Sequence, residues 1–224
     1  MFFDNNVQFS KTAGVGGDLA RLKYRHQLII ERNIETIHGA SVFDFAAHDG
    51  RWSLAAATAG ASHVVGIEAR DRMVIDALSH SKRLGLGNVE FHCGDGFRFI
   101  QDSIDRGDQY DVGFCLGFFY HTHRHMDLLA GYRGLGCRTL IMDTAVIKRP
   151  GPIIKLIRED TAIESNSATD ELVGRPSLSA TLLMMDAAGY DTEVLPNHDP
   201  IPPSAMDYAA GQRYTIVGKL RPRR

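Results

Sequence analysis

The chain has 224 residues, 44% hydrophobic and 23% charged, a balance that supports one large folded domain and excludes a disordered or fibrous chain. A formal charge of −2, with ten neutral histidines, argues against nucleic acid or another phosphate-rich polymer as the main partner. Apolar runs such as 54–57 are far too short to cross a bilayer, so no membrane association is expected. The opening Met-Phe-Phe-Asp-Asn-Asn has neither a basic start nor an apolar stretch, so no secretory signal is expected and a cytoplasmic location is the default. Three cysteines (Cys93, Cys115, Cys137), odd in number and without C-x-x-C spacing, read as buried thiols in a reducing compartment.

Residues 1–40 form an N-terminal helical cap segment, with a glycine cluster (Gly14, Gly16, Gly17) that reads as a hinge and a helix around Leu22 to Arg32. From Ser41 onward short apolar runs alternate with longer helical patterns. Ser-Val-Phe-Asp-Phe-Ala at 41–46 is a buried strand, followed by a small-residue helix through Leu54 to Ala59 that Gly60 closes. A second strand occupies 63–68. Asp71 is placed to cap a helix to about Lys82, which Gly85 and Gly87 stop. Strands follow at 89–93, 111–116 and 139–143, with a helix at 125–133 whose apolar stripe is Met126, Leu129 and Ala130. A helix at 181–188 and strands at 192–195 and 213–219 complete the pattern. Strand–helix alternation of this kind makes an α/β fold, a doubly wound, mostly parallel seven-stranded sheet with right-handed crossovers. The sheet domain runs over 41–224 with two insertions: a polar one at 148–177 and one at 196–211 that holds Pro196, Pro200, Pro202 and Pro203. Both leave from strand ends where open α/β sheets bind ligands, so they are candidate lids.

The first strand turns into its helix through Asp44-Phe45-Ala46-Ala47-His48-Asp49-Gly50, where small residues admit a ligand close to backbone and to the free N–H groups of the next helix. The second strand ends in Glu68, placed to accept both hydroxyls of a ribose, and the third in Cys93-Gly94-Asp95-Gly96, where Asp95 can accept from an adenine amino group. An acid at the same end of three successive strands is the combined signal. The glycine pattern of a dinucleotide site is missing, and so is a P-loop.

With these residues the sequence resembles the class I S-adenosylmethionine-dependent methyltransferases over about Ser41 to Val146. The stretch Val-Phe-Asp-Phe-Ala-Ala-His-Asp-Gly stands where that family has Asp and a Gly-x-Gly-x-Gly loop, with Ala46 and His48 at two of the glycine positions and Gly50 at the third. The resemblance implies that S-adenosyl-L-methionine is the cofactor and that Asp44, Phe45, Ala46, His48 and Gly50 shape its site. It also implies Glu68 with Ala69 at the ribose, Asp95 with Gly96 at the adenine, and Cys115, Leu116 and Gly117 along the fourth strand. Asp-Val-Gly-Phe-Cys-Leu-Gly-Phe-Phe-Tyr-His at 111–121 is similar to the wobble-uridine carboxymethyltransferase-like branch, which related sequences share with methyltransferases of sugars and small molecules.

Five histidines (His48, His92, His121, His123, His125) fall at or near strand ends, where a neutral imidazole can take a hydroxyl proton. His121 is the first choice as general base, and His123 the second; a metal site in His-x-His-x-His would require an extended segment. Asp143, at the end of the fifth strand, is the one candidate for magnesium, by similarity to sugar O-methyltransferases that hold Mg2+ with strand-end acids. Glu159 and Asp160 read as a solvated helix face. The leading expectation is an O-methyltransferase acting on a hydroxyl of a small polar molecule, a sugar foremost, with Phe118, Phe119 and Tyr120 as acceptor-pocket candidates. Asn197, His198, Asp199, Asp207 and Tyr208 supply possible hydrogen-bond partners from the second insertion. An RNA-modifying enzyme, with the basic tail Lys219 to Arg224 as its support, and a non-catalytic cofactor-binding protein are the competing readings. A homodimer is expected on the general prevalence of two-fold pairs.

Overall fold

A computed structural model describes residues 1–12, 18–163 and 166–222. The glycine cluster at 14–17 and the last two arginines of the basic tail lie outside the described residues. The N-terminal segment contains α1 (Phe9–Thr12), α2 (Leu19–Ile29) and α3 (Ile34–Ile37). The sheet domain then runs β1 (Ser41–Phe45), α4 (Arg51–Thr58), β2 (His63–Glu68), α5 (Asp71–Leu84), β3 (Val89–Cys93), α6 (Gly96–Arg106), β4 (Val112–Leu116), α7 (His125–Gly134) and β5 (Thr139–Ala145). After a hairpin of β6 (Ile154–Arg158) and β7 (Leu172–Pro176) come α8 (Leu178–Ala187), β8 (Tyr190–Val194), α9 (Met206–Ala209) and β9 (Arg213–Leu220).

The main sheet has seven strands in the order β3-β2-β1-β4-β5-β9-β8. The first five are parallel, and β9 lies antiparallel between β5 and β8. The strand order reverses between β1 and β4, so their carboxyl ends open a crevice at the switch point. Strands this apolar on both faces require helices on both sides. In β1, Val42 packs with Leu54, Ala56 and the N-terminal Phe3, Phe9 and Leu22, while Phe43 faces Ile100, Leu128 and Tyr132 in the other layer. The cap segment thus completes one of the two cores.

Helix boundaries follow local chemistry. Asp95 caps α6 by accepting from the Arg98 N–H, and Ser177 caps α8 through the Ala180 N–H. Asp71 opens α5 as its first helical residue instead of capping it, and Gly85 ends the helix in the left-handed region at φ 66°. The stripe of α7 is His125, Leu128, Leu129 and Tyr132, whereas Met126 is 45% exposed, which corrects the expected register. Tyr132 decides that register because its hydroxyl donates to the Phe114 carbonyl at 2.6 Å. The insertion at 148–177 holds a strand pair that a polar reading does not foresee, because Ile154, Leu156 and Leu172 keep apolar side chains exposed there. Cys115 and Cys137 are buried as expected, but Cys93 is exposed.

Close contact between α7 and β4 is possible only because residue 113 lacks a side chain: a Cβ there would sit 2.6 Å from Cδ1 of the buried Tyr132 ring. The Gly113→Ala substitution should therefore destabilise the fold by about 1–3 kcal/mol, measured as a shift of the denaturant midpoint without change of slope; an unchanged midpoint would contradict this packing.

Candidate functional site

A cavity of ≈ 230 Å³ opens over the carboxyl ends of the parallel strands. Its floor is the turn after β1. There Ala46 (φ 58°), His48 (φ 54°) and Gly50 (φ 76°) alternate in the left-handed region, at roughly 1–2 kcal/mol for each of the two side chains. The turn is held from two sides. Glu68 Oε2 accepts the His48 N–H at 3.0 Å, and the Arg51 guanidinium meets His48 Nδ1 at 3.0 Å while gripping both oxygens of Asp49. Burial would raise the Asp49 carboxyl, but Arg51 and His48 overcome it and hold the group below the usual carboxylate range. Only glycine fits at 50, because a Cβ would lie 2.6 Å from Phe91 Cζ and 2.9 Å from Ala77 Cβ.

Of the expected site residues, Phe45, Ala46, His48, Glu68, Ala69, Asp95, Gly96, Leu116, Gly117 and His121 line this one cavity. Asp44 and Gly50 stand behind it. Asp44 is buried and accepts from the Ser53 hydroxyl at 2.6 Å; burial, opposed by Ser53 and assisted by the Glu68 charge, pushes its carboxyl up to about 7. Cys115 packs in the core and does not reach the cavity. Glu68 spends one oxygen on the His48 N–H and the other on the Arg70 N–H at 3.0 Å, and each oxygen keeps a lone pair for a vicinal diol. Asp95 is exposed at the mouth, with Phe97 beside it under the Arg124 guanidinium, 3.8 Å from the ring centroid. Gly117 (φ 103°) leaves open space beside β4, its nearest neighbour being the Tyr120 hydroxyl at 3.9 Å. The set fits a nucleoside with an extended tail: a diol acceptor in Glu68, an acceptor carboxylate at the mouth in Asp95, and glycines at 94, 96 and 117 on the lining.

His121 sits on a short helical turn after β4, is 9% exposed, and meets Glu159 Oε2 through Nδ1 at 2.7 Å. Burial lowers its pKa from the ordinary imidazole value; Glu159 opposes that shift, and Arg175 and Arg213 add to it. Glu159 is 7% exposed and also accepts the Ser167 N–H at 2.9 Å, so the expectation of a solvated face is corrected. The apolar run Ile153, Ile154, Leu156, Ile157, echoed by Leu172 and Val173, is the signal that a hairpin would bring its end inward. His123 lies outside the cavity, half-exposed, against the Leu172 carbonyl, and His125 is buried against Gly174; the histidine triplet does not converge. Phe119 belongs to the core, whereas Phe118 and Tyr120 line the cavity.

Asp143 is corrected as a magnesium ligand. Its Oδ1 accepts from Arg25 and Arg213, each at 2.8 Å, and its Oδ2 from Thr215 at 2.9 Å and from the Tyr208 hydroxyl. Burial alone would raise this carboxyl, but the two guanidiniums hold it at about 2. Among the described residues no group of three or more potential ligands converges on a metal position. Of the residues expected from 196–211, none lines the cavity. Asp207 pairs with Arg21 and Arg213, Tyr208 serves Asp143, Asn197 bonds the Tyr208 carbonyl, and His198 packs on the Tyr24 ring. Arg21, Arg25, Arg70, Arg213 and Trp52, absent from the sequence-based site, are on its wall. Asp143→Asn would leave the buried Arg25 guanidinium without its anion and Arg213 with Asp207 alone, and should cost about 3–5 kcal/mol in chemical denaturation; a loss under about 1 kcal/mol would mean that the network is not coupled to folding.

Comparison with known proteins places residues 42–134 in a family model described as a methyltransferase domain. The N-terminal domain of EvdMO1, solved in the presence of SAH and D-fucose, is similar at TM-score 0.65 and 19% identity, over 93% of this chain and 84% of that one. An S-adenosylmethionine-dependent methyltransferase from Mesorhizobium loti matches at TM-score 0.62 and 13% identity, over 92% of this chain and 100% of that one. SMU.776, complexed with SAH, matches at 0.61 and 15%, over 92% and 50%. At these identities the likeness is one of fold, and it agrees with the seven-stranded α/β expectation. No curated protein matches the chain. No helix among the described residues is long and apolar enough to cross a membrane.

Proposed function

We propose that this chain, which carries a methyltransferase domain over residues 42–134 on a class I methyltransferase fold, binds S-adenosylmethionine in the cavity and methylates a hydroxyl of a small polar acceptor, a sugar or similar metabolite. When bound, the cofactor supplies an electrophilic methyl carbon on a sulfonium. Everything else falls to the protein: holding the acceptor oxygen in line and removing its proton. The observation that carries this reading is the buried His121–Glu159 pair, with His121 on the cavity wall and Glu159 behind it.

Glu159 fixes the ring. With Nδ1–H donating to its carboxylate, Nε2 is the nitrogen left to accept a hydroxyl proton, and the imidazolium that results is paired as it forms. The wall around it is polar and aromatic, with Asn166, Ser167 and Thr169 from the β6–β7 hairpin loop and the Tyr120 and Phe118 rings from the β4 exit. Such a lining offers the donors, acceptors and ring faces that a sugar uses. D-fucose in the EvdMO1 crystals is consistent with that class of acceptor.

Two measurements test the two halves. Glu68→Ala should weaken S-adenosylhomocysteine binding by about 1.5–3 kcal/mol, since a charged acceptor of two hydroxyls is lost; unchanged affinity by calorimetry would remove the cofactor assignment. His121→Ala should lower turnover by about 10²–10⁴-fold with cofactor affinity near the parent's. Because the neutral imidazole is the active form and burial lowers its pKa, the parental rate should rise with pH to a plateau, with a midpoint below 6.5. Glu159→Gln removes the group that opposes this lowering, so the midpoint should move to still lower pH while the plateau falls. A rate independent of pH across the imidazole range, in parent and variant alike, would assign the base elsewhere.

A further inference from the structure

We propose that Arg70, between β2 and α5, is a positioning residue for the His121–Glu159 pair, holding the loop that aims the Glu159 carboxylate; the proposal rests on the reading of His121 as base. The β6–β7 hairpin is anchored at two places. Its strands are tied to the β4 exit: the Gly174 N–H donates to the Thr122 carbonyl at 3.0 Å, and the Thr122 hydroxyl donates to Asp170 at 2.9 Å. The loop has a different anchor. Residues 160–163 and 166 bond to one another around Asp160, and their hydrogen bonds to the rest of the described chain all go to Arg70. Its Nη2 donates to the carbonyl oxygens of Ile163 and Asn166 at 3.1 Å and of Thr161 at 3.4 Å.

The effect of that anchor falls on Glu159. Ser167 donates its N–H to Glu159 Oε2 at 2.9 Å, and the same oxygen meets the His121 ring at 2.7 Å. The Asn166 carbonyl and the Ser167 N–H belong to one peptide unit. That unit is planar, so a cation holding its oxygen fixes the direction of its N–H on the opposite side. The same contact polarises the peptide and strengthens the N–H as a donor. Arg70 thus aims the donor that aims the carboxylate.

The cofactor side of Arg70 is separable. Its backbone N–H, which every substitution keeps, donates to Glu68 Oε1 at 3.0 Å. The charges that face His121 are Glu159 before the loop, Arg175 on β7 and Arg213 on β9, with the Tyr120 ring 4.2 Å from its own. Glu159 favours the imidazolium, and the two guanidiniums oppose it. Removing Arg70 takes away a cation, which by itself can only raise the imidazole midpoint. A slackened Glu159 lowers it. The direction of the shift therefore identifies the route.

The experiment follows the His121 ring by NMR in protein made with isotope-labelled histidine, the resonance being identified by its loss in His121→Ala. In titrations with and without S-adenosylhomocysteine, Arg70→Met should place the midpoint below the parent's, in the direction of Glu159→Gln. Arg70→Met added to Glu159→Gln should lower it no further, because both act through one contact. Arg70→Lys, which keeps the charge without the planar fork, should shift it less, and decides alone if the methionine variant does not fold. S-adenosylhomocysteine affinity by calorimetry should stay within about twofold of the parent's. An unchanged or raised midpoint would overturn the proposal, since Arg70 would then only brace a surface loop. So would a loss of about tenfold or more in S-adenosylhomocysteine affinity with the midpoint unmoved, which would make Arg70 a cofactor contact. The titration does not use turnover, so failure of the base reading in the rate profile and failure of the Arg70 coupling are seen separately.

Discussion

The carboxylate of Asp143 is fully buried in β5, two residues before its end, and three separate parts of the chain are tied to it. Arg25 reaches it from the N-terminal helix, Tyr208 from the second insertion, and Arg213 and Thr215 from β9. A carboxylate in such a place pays a large desolvation cost, which only well-placed cations and hydrogen bonds offset. Here four donors from three parts of the chain meet both oxygens. The consequence is architectural. The cap and the insertion at 196–211 are held over the carboxyl end of the sheet by charge, with the small Tyr24, Leu28, Ala205 and Tyr208 cluster filling the space between them. The same network lines the far wall of the cavity with guanidiniums.

The opposite wall is built by backbone strain. Two non-glycine residues in the left-handed region, Ala46 and His48, spend stability at the point where a ligand must approach main chain. The surroundings over-determine this conformation: Glu68 takes the His48 N–H, and Arg51 ties the His48 ring to Asp49. Glu68 thus shapes the turn before it meets any ligand. The structural acid and the proposed ribose acid are one residue.

Much of the sheet was legible because it depends on local runs. The strands at 63–68 and 89–93 end where the apolar pattern ends, and Glu68 and Asp95 stand at their carboxyl ends by simple counting. The turn after β1 was legible for the same reason. What could not be read are pairings between distant residues. Arg25 and Asp143 are 118 positions apart, and His121 and Glu159 are 38 apart across a hairpin whose exposed apolar residues obscure its strands. Asp143 illustrates the limit: a strand-end acid looks like a metal ligand until the cations that fill its lone pairs are known. The α7 stripe failed in a smaller way. Met126 and Leu128 are both apolar, and the bond from Tyr132 to the β4 backbone goes with the register in which Leu128 faces inward.

One residue connects the two ends of the site. The Arg70 N–H donates to Glu68 Oε1, while its guanidinium donates to the carbonyls of Thr161, Ile163 and Asn166 at 3.4, 3.1 and 3.1 Å. Those carbonyls belong to the loop that carries Ser167 and follows Glu159, and Ser167 in turn donates its N–H to the Glu159 carboxylate. The path from the ribose acid to the partner of His121 is therefore continuous: Glu68, Arg70, the loop carbonyls, Ser167, Glu159, His121. Hydrogen bonds make the steps between Glu68 and Arg70, Arg70 and the loop, Ser167 and Glu159, and Glu159 and His121, the chain itself joins the loop carbonyls to Ser167, and Glu68, Glu159 and His121 are buried. An insertion between β5 and α8 that supplied only a cover would not require a buried acid bonded to an imidazole of the β4 exit. Its sequence bends that acid inward, and the chemistry proposed for His121 then depends on a segment that the parallel sheet could fold without.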